Sequence, residues 1–444
     1  MPARRRPVLR NVAILTASGV LERMLGALYR IAMARMAGPA ALGLIQFCLP
    51  ILRLCLILGT LGLPQTLARV VAEARARRDE SEARAAMGWS LRATSAVAGV
   101  LACMLLLLAP LGRYLFPDAR VVPLLRWLAP IIVCDCIATL LQANFQGRNR
   151  MWPTALAGII GQGAKLMLSM ILIARVACKG PGAMAGAALA ATALSEFGAL
   201  VLLLSMNGWP RIAGIPEQKQ LLASSLPLMG DGLVFAVAGA VDVVIIPARL
   251  VAAGFPRGAV TSLMGEVWGM ALPTLFLAMV VIWPIAHATL PVLADAAARG
   301  DRAELKRRIF LTYLAVGAVA LVTTAVFLSF PGPIVTVLYA RPSAAPYLRM
   351  LAWVACPIYL ASIGGTFLIG LNQPGLLFRQ SLVCAAIRSA LIYVLTGLPH
   401  LGVAGAMIGI SAGNSLLAMA NIWGVRRYLR AFPRGGKKRP AVRV

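Results

Sequence analysis

The chain has 444 residues, of which 60% are apolar and 13% are charged, and its mean hydropathy is +0.82. Apolar stretches of about 20 residues recur along its whole length, and each is long enough to cross a bilayer as a helix. This composition excludes a soluble globular protein. The net charge of +28 suits nucleic-acid binding, but the basic residues concentrate at the chain ends and in alternate loops. We interpret that distribution as membrane topology and expect no nucleic-acid partner.

The apolar stretches predict an all-α polytopic membrane protein with 12 transmembrane helices. The loops between them are short, and the pattern leaves no room for a long soluble domain. An even number of spans places both chain termini on the same side of the membrane. We predict spans near residues 12–37, 41–71, 87–112, 122–146, 152–174, 183–206, 222–250, 260–293, 309–330, 346–370, 376–397 and 402–425.

The first span carries two arginines, Arg23 and Arg30, inside an otherwise apolar stretch. Seven residues are close to two helical turns, so both guanidinium groups lie on one helix face, together with Gly19 and Gly26. A charge at the bilayer centre costs at least about 2.5–3.5 kcal/mol, so we expect this face to point away from lipid. Its expected targets are a water-filled cavity, a partner carboxylate or an anionic substrate.

Basic residues mark alternate loops and both ends of the chain. The positive-inside rule therefore predicts a multi-pass protein of the cell inner (plasma) membrane with both termini in the cytoplasm. The basic segments are also expected to attract anionic membrane lipids, at about 1 kcal/mol per residue. The pattern is carried by Arg4, Arg5, Arg6 and Arg10 before span 1, by Arg75, Arg77, Arg78 and Arg84 after span 2, by Arg299, Arg302, Lys306, Arg307 and Arg308 after span 8, and by Arg426, Arg427, Arg430, Arg434, Lys437, Lys438, Arg439 and Arg443 after span 12.

The two halves of the chain resemble each other at a nearly constant offset. Gly147 and Asn149 recur as Gly370 and Asn372, 223 residues later, and similar matches occur in other loops. This offset indicates the duplication of a six-span unit. Because six is even, both copies insert with the same orientation, which predicts two six-helix lobes related by a pseudo-two-fold along the membrane normal, around a central cleft. The predicted segments are a basic cytoplasmic N-terminus at 1–10, a first lobe at 11–206, a cytoplasmic linker at 207–220, a second lobe at 221–428 and a basic cytoplasmic tail at 429–444.

Further charged residues lie inside other predicted spans. Arg53 lies in span 2, and Asp231, Asp242 and Arg249 share one face of span 7, the repeat partner of span 1. One interpretation is a polar cavity lining; the other is structural, with interhelix ion pairs or charges that reach the membrane interface. Asp231, Asp242, Arg249, Glu266 and His287 are the candidate ion-coupling or cavity residues, and both interpretations also stay open for Glu22, Asp135, Lys165, Glu196 and Arg388.

The sequence contains no motif for catalysis, metal binding or a cofactor. It lacks a Walker-type phosphate loop, so we do not expect ATP to drive the chain directly. The eight cysteines are scattered, mostly within apolar helix, and indicate neither a disulfide framework nor a metal site. We therefore do not expect an enzyme.

Two stretches resemble the stage V sporulation protein B family, within the multidrug/oligosaccharidyl-lipid/polysaccharide exporter superfamily. Spans 1 and 2 contain GVLERMLGALYRIAMARMAGPAALGLIQFCLPIL, and span 8 contains MALPTLFLAMVVIWPIAHATLPVLADAAARGD. The resemblance implies two six-helix lobes around a central cavity and flipping of an undecaprenyl-pyrophosphate-linked saccharide. In the related lipid II flippases, arginines of the first helix line that cavity. Arg23 and Arg30 occupy the matching positions here, and Arg53 resembles a basic position in the second helix.

The leading hypothesis is a secondary transporter that flips a lipid-linked cell-wall or polysaccharide precursor by alternating access. Arg23, Arg30 and Arg53 would bind the pyrophosphate, since guanidinium groups pair strongly with phosphate oxygens. A coupling ion (sodium or a proton) or the membrane potential would reset the transporter. Two alternatives remain open: a cation-coupled drug or metabolite antiporter of the same superfamily, and a non-transporting membrane scaffold for cell-wall or sporulation enzymes.

Overall fold

The computed structural model describes residues 5–207 and 218–431, and every regular element within these ranges is a helix. Most of the predicted linker and of the basic tail lie outside the described residues. The α-helices are α1 (Arg5–Thr60), α2 (Leu63–Ala76), α3 (Glu80–Leu108), α4 (Gly112–Leu115), α5 (Val121–Gly147), α6 (Trp152–Val176), α7 (Pro181–Asn207), α8 (Gln218–Ala252), α9 (Arg257–Met264), α10 (Leu272–Leu275), α11 (Met279–Arg299), α12 (Arg302–Ser329), α13 (Pro331–Tyr339), α14 (Ala345–Gly370), α15 (Pro374–Thr396) and α16 (Val403–Ala431).

Within the described ranges, 11 helical stretches are long and apolar enough to cross a membrane. The first covers Ala17–Ala76, and the backbone of Gly38 leaves helical geometry inside it, with φ 74° and ψ 178°. Glycine tolerates this positive φ, and Pro39 disfavours helical geometry in the residue before it. Divided at Gly38, this stretch supplies spans 1 and 2. The predicted all-α polytopic fold is confirmed.

The predicted eighth span is interrupted. A π-helical segment, Gly265–Ala271, separates α9 from α10, and a 3₁₀ turn separates α10 from α11. Pro273, the second residue of α10, has no amide hydrogen to donate to the preceding turn. The wider turns of the π segment therefore end where an α-helical ladder would lose a hydrogen bond.

The chain forms two compact units. The first contains Met1–Ala248 and Pro256–Gly265, and the second contains Arg249–Phe255 and Glu266–Val444. Contacts thus group most of α8, and all of α9, with the first unit. Close backbone approaches explain this grouping, because a Cβ added to Gly43 of α1 would overlap the carbonyl of Thr261 in α9. The lobe boundaries at 206 and 221 stay a prediction based on the sequence repeat.

Each unit has its own apolar core. In the first unit, Leu63, Leu67, Leu140 and Leu203 pack together and join α2, α5 and α7. In the second unit, α14, α15 and α16 meet, with Ala361, Cys384, Leu417 and Ala418 buried together. The first core fixes α5 and α7 against each other, which positions the charged side chains that these helices carry.

Two turns at the repeat offset have the same backbone geometry. Asn149 follows α5 and Asn372 follows α14, with φ values of 56° and 55°. In both turns, the amides after the helix donate to carbonyls of its last turn in the same pattern. Asparagine is among the non-glycine residues that adopt positive φ most readily. The match supports the duplication that the sequence predicts.

Candidate functional site

One face of the first half of α1 packs against α6. The Glu22 carboxylate lies so close to Gly158 that a Cβ at that position would overlap it. Two turns further along both helices, the Lys165 ammonium lies 4.9 Å from the centre of the Tyr29 ring. Glu22 and Tyr29 are seven residues apart, as are Gly158 and Lys165. These two contacts fix the rotation of α1 about its own axis.

The neighbouring face of α1 is open. Arg23 and Arg30 are both exposed, and Arg23 also interacts electrostatically with Glu22. At Gly19 and Gly26, no described atom from outside the helix lies within 4 Å of the place that a Cβ would occupy. Residues 19, 23, 26 and 30 follow a helical repeat, so the open positions and the two guanidinium groups share one stripe. We call these four residues the arginine stripe.

Four other predicted cavity residues lie outside the first half of α1. Arg53 is exposed on the second half of α1, and Asp242 is partly buried in α8. The side chains of Asp231 and His287 lie outside the described residues. A cavity role for Arg53, Asp231, Asp242 and His287 therefore stays a prediction.

Arg249, in the second unit, is held by α15. Its Nε donates to the carbonyl of Tyr393 at 3.0 Å, and its guanidinium lies 4.5 Å from the centre of the Tyr393 ring. The same guanidinium lies against Gly397, where no side chain larger than hydrogen would fit. These contacts anchor the end of α8 that belongs to the second unit against α15.

Glu266 lies in the first turn of the π-helical segment. It accepts a hydrogen bond from the hydroxyl of Ser343 at 2.7 Å, in the 3₁₀ turn before α14. Arg388, another predicted polar position, is partly buried in α15, where its side chain packs against Gly413 of α16. Both side chains thus connect elements of the second unit.

Three charged residues of the first unit come together although the sequence gives no common motif for them. Asp135 of α5, Lys165 of α6 and Glu196 of α7 are all partly buried and interact electrostatically with one another. We call them the charge triad. Each residue lies near the middle of an apolar span, and that position was the only signal in the sequence that could have grouped them.

A further ion pair lies outside the spans, between α4 and α5. The Asp118 carboxylate lies 2.7 Å from the Arg120 guanidinium and accepts a hydrogen bond from the Thr261 hydroxyl at 3.1 Å. Partial burial alone would raise the pKa of Asp118, but the hydrogen bonds from Arg120 outweigh burial and the pKa lies below its usual value. This pair ties α9 to the start of α5.

The described side chains include no group of three histidine, cysteine, aspartate or glutamate residues suited to a metal ion. The arginine stripe offers two exposed guanidinium groups beside two glycines, and the charge triad offers two carboxylates beside an ammonium. The first arrangement suits an anion, and the second suits a small cation or a proton.

Known proteins resemble this chain over most of its length. The model of the family described as polysaccharide biosynthesis protein matches residues 8–297. Stage V sporulation protein B of Bacillus subtilis (strain 168) is 24% identical over 438 residues, which cover 95% of this chain and 84% of that protein. Lipid II flippase MurJ of the same organism is 23% identical over 405 residues, which cover 82% and 73%.

The fold also matches solved structures. An inward-facing multidrug resistance MATE family transporter of the MOP superfamily superimposes with a TM-score of 0.76 over 93% of this chain and 95% of that chain, at 17% identity. The matches confirm the resemblance seen in spans 1, 2 and 8, and the chain is a multi-pass membrane protein that shares the fold of that transporter. Because the family model covers more than half of its residues, the chain belongs to the polysaccharide biosynthesis protein family.

Proposed function

We propose that the protein is a secondary transporter that flips an undecaprenyl-pyrophosphate-linked saccharide across the membrane by alternating access. The arginine stripe is the observation that carries this proposal. Its two guanidinium groups lie two turns apart on one face of α1. Gly26 lies between them and Gly19 precedes them, and no described atom outside the helix packs against either glycine. A pyrophosphate presents several acceptor oxygens, and an unpacked stripe leaves room for them to reach both arginines.

Hydrogen bonds between the two arginines and phosphate oxygens are strong enough to account for binding of the headgroup. A hydrogen bond to a charged group contributes about 1.5–3 kcal/mol, and arginine often binds phosphate with two parallel N–H donors. Two arginines in this arrangement would select a doubly charged headgroup over a neutral lipid. Because the glycines carry no side chain, nothing projects from the helix at these positions, and the headgroup can contact both guanidinium groups at once.

The relatives support the same class of substrate. One of them is named as a lipid II flippase and another as a sporulation protein, and both align with more than four-fifths of this chain. The sequence has no ATP-binding loop, so a coupling ion or the membrane potential would return the carrier to its starting state. The basic loops and ends support a topology with both termini in the cytoplasm.

A flipping assay tests the proposal. The full chain is reconstituted in vesicles with a fluorescent undecaprenyl-pyrophosphate-linked saccharide, and the labelled fraction that crosses to the other leaflet is followed in time. Arg30→Ala is expected to slow flipping at least about tenfold, since it removes one charge-assisted contact. Arg35→Ala, five residues further along the same helix and off the stripe, is the matched control and keeps the wild-type rate. Equal rates for Arg30→Ala and wild type would overturn the proposal.

The same vesicles separate the alternatives. A cation-coupled drug antiporter would move a cationic dye and leave the lipid-linked label in place, and loss of the positive stripe would not weaken that transport. A non-transporting scaffold would move neither probe. Each of these outcomes contradicts the flippase proposal.

A further inference from the structure

Three neighbouring helices of the first unit each carry one charged residue near their midpoint. Asp135 is the fifteenth of 27 residues in α5, Lys165 the fourteenth of 25 in α6, and Glu196 the sixteenth of 27 in α7. Helices of this length cross the hydrocarbon, so the three side chains lie at a similar depth near the centre of the bilayer. Charges at that depth are costly and are found where they serve ion or proton movement.

The charge triad contacts a hydroxyl group at Asp135 and an aromatic ring of α1 at Lys165. The Thr139 hydroxyl donates to the Asp135 carboxylate at 3.3 Å. Lys165 interacts with both carboxylates and also lies over the ring of Tyr29, the residue before Arg30. Other titratable groups on the packed helices include the thiols Cys134 and Cys136 of α5 and Cys55 of α1, the Glu22–Arg23 pair of α1, and Arg92 of α3, whose Nε donates to the carbonyl of Gly88.

The charges of the triad do not cancel. Two carboxylates and one ammonium leave one negative charge inside the membrane, and this charge disappears when one proton binds to a carboxylate oxygen. A metal ion would also neutralise it, but Lys165 already supplies one cation that interacts with both carboxylates. Among the described side chains, no three-ligand group for a metal is present here or elsewhere. A proton adds charge without needing further space or ligands.

We propose that Asp135, Glu196 and Lys165 form a proton-binding site in the first unit, and that this site is coupled through Tyr29 to anion binding at Arg30. The second part rests on the proposed function. One proton from water binds a carboxylate oxygen of the triad, and its charge adds to the positive potential that Lys165 exerts on the neighbouring stripe. Protonation therefore strengthens anion binding, and by linkage a bound anion strengthens proton binding.

Infrared spectroscopy of the full chain in lipid nanodiscs, with no lipid-linked substrate present, tests the proton site. On acidification from neutral pH, the wild type is expected to gain a carboxylic-acid band that shifts in deuterium oxide. Asp135→Asn and Glu196→Gln each lose this band, because Lys165 then balances the single remaining carboxylate. Glu73→Gln, which removes an exposed carboxylate of α2, keeps it. Lys165→Met moves the midpoint of the band to higher pH, because the balancing cation is gone.

The wild-type spectrum alone can overturn the proposal, so it does not depend on any variant folding. Absence of a deuterium-sensitive acid band contradicts the proton site, and so does a band that persists unchanged in Asp135→Asn, Glu196→Gln and Lys165→Met. A band that sodium abolishes at constant pH would assign the triad to a metal ion and would equally contradict it.

Coupling is tested with inorganic pyrophosphate as the probe. Wild type and Glu196→Gln are titrated at the same series of pH values, which cancels the ligand's own protonation. The affinity of the wild type is expected to rise at least threefold more on acidification than that of Glu196→Gln. If Arg30→Ala leaves pyrophosphate binding unchanged while the acid band is intact, the proposed function fails and the proton site stands. If the acid band is missing while Arg30→Ala weakens binding, the reverse holds.

Discussion

Arg30 and Arg249 are both arginines within apolar helices, but their surroundings are opposite. Arg249 is partly buried, bonded to a backbone carbonyl and stacked on an aromatic ring of α15. Arg30 is exposed on a stripe where Gly26 meets no described atom outside its helix. A charge inside an apolar segment is therefore ambiguous by itself, and its neighbours distinguish an anchor from a binding group.

The largest effect is expected when both guanidinium groups of the arginine stripe are removed. Arg23→Ala combined with Arg30→Ala should reduce flipping of the lipid-linked probe by at least about 100-fold, because each contact contributes about 1.5–3 kcal/mol. The exposed positions predict little change in melting temperature. A double variant that flips at half the wild-type rate would show that the stripe is not the binding site.

Arg249→Ala should act on stability. It removes a hydrogen bond from a charged donor and a stacked cation, which together contribute about 2–4 kcal/mol. Arg249→Lys keeps the charge but loses the planar fork, so we expect a smaller loss. The measurement is the thermal unfolding midpoint of each purified variant beside that of Arg30→Ala. A loss in Arg30→Ala as large as that in Arg249→Ala would erase the distinction between anchor and binding group.

Two glycines of α1 offer a matched pair for the same comparison. Gly43→Ala forces a Cβ into the backbone carbonyl of Thr261, and we expect a destabilisation of about 1–3 kcal/mol. Gly26→Ala meets open space on the stripe and should be neutral or stabilise the helix by up to about 1 kcal/mol. Thermal unfolding of the two variants gives the answer, and a destabilising Gly26→Ala would mean that the stripe is packed.

The smallest effect on stability is expected at the Asp118–Arg120 ion pair, which lies outside the membrane spans. Because the pKa of Asp118 lies below its usual value of 3.8, the carboxylate stabilises the fold at neutral pH, and this stabilisation is lost as the pH falls below that value. The pair contributes at most about 1 kcal/mol. Asp118→Asn should therefore melt slightly below wild type at pH 7, with the difference shrinking toward pH 3. A difference that grows on acidification would contradict the assignment.

The sequence predicted the features that depend on one helix at a time. The seven-residue spacing of Arg23 and Arg30 placed them on a single face, and the break at Gly38 falls in the predicted gap between span 1, at 12–37, and span 2, at 41–71. The repeat offset anticipated matching turns at Asn149 and Asn372. Each of these follows from local geometry, since helical periodicity and the steric limits of glycine and proline are fixed by the chain itself.

Features that depend on packing between helices were not predictable. The charge triad joins residues 135, 165 and 196, which share no motif, and only the rotation of α5, α6 and α7 brings them together. The anchoring of Arg249 likewise needs the carbonyl of Tyr393, 144 residues away, which no pattern in span 7 indicates. The grouping of α9 with the first unit depends on the glycine contact at Gly43, which is visible only in three dimensions.

Equilibrium binding of undecaprenyl pyrophosphate to the purified chain tests the central claim most directly, because it isolates headgroup recognition from transport. Wild type, Arg30→Ala and the control Arg35→Ala are titrated under identical salt and detergent conditions. The arginine stripe predicts at least about tenfold weaker binding for Arg30→Ala and unchanged binding for Arg35→Ala. Equal affinity of Arg30→Ala and wild type would contradict the account.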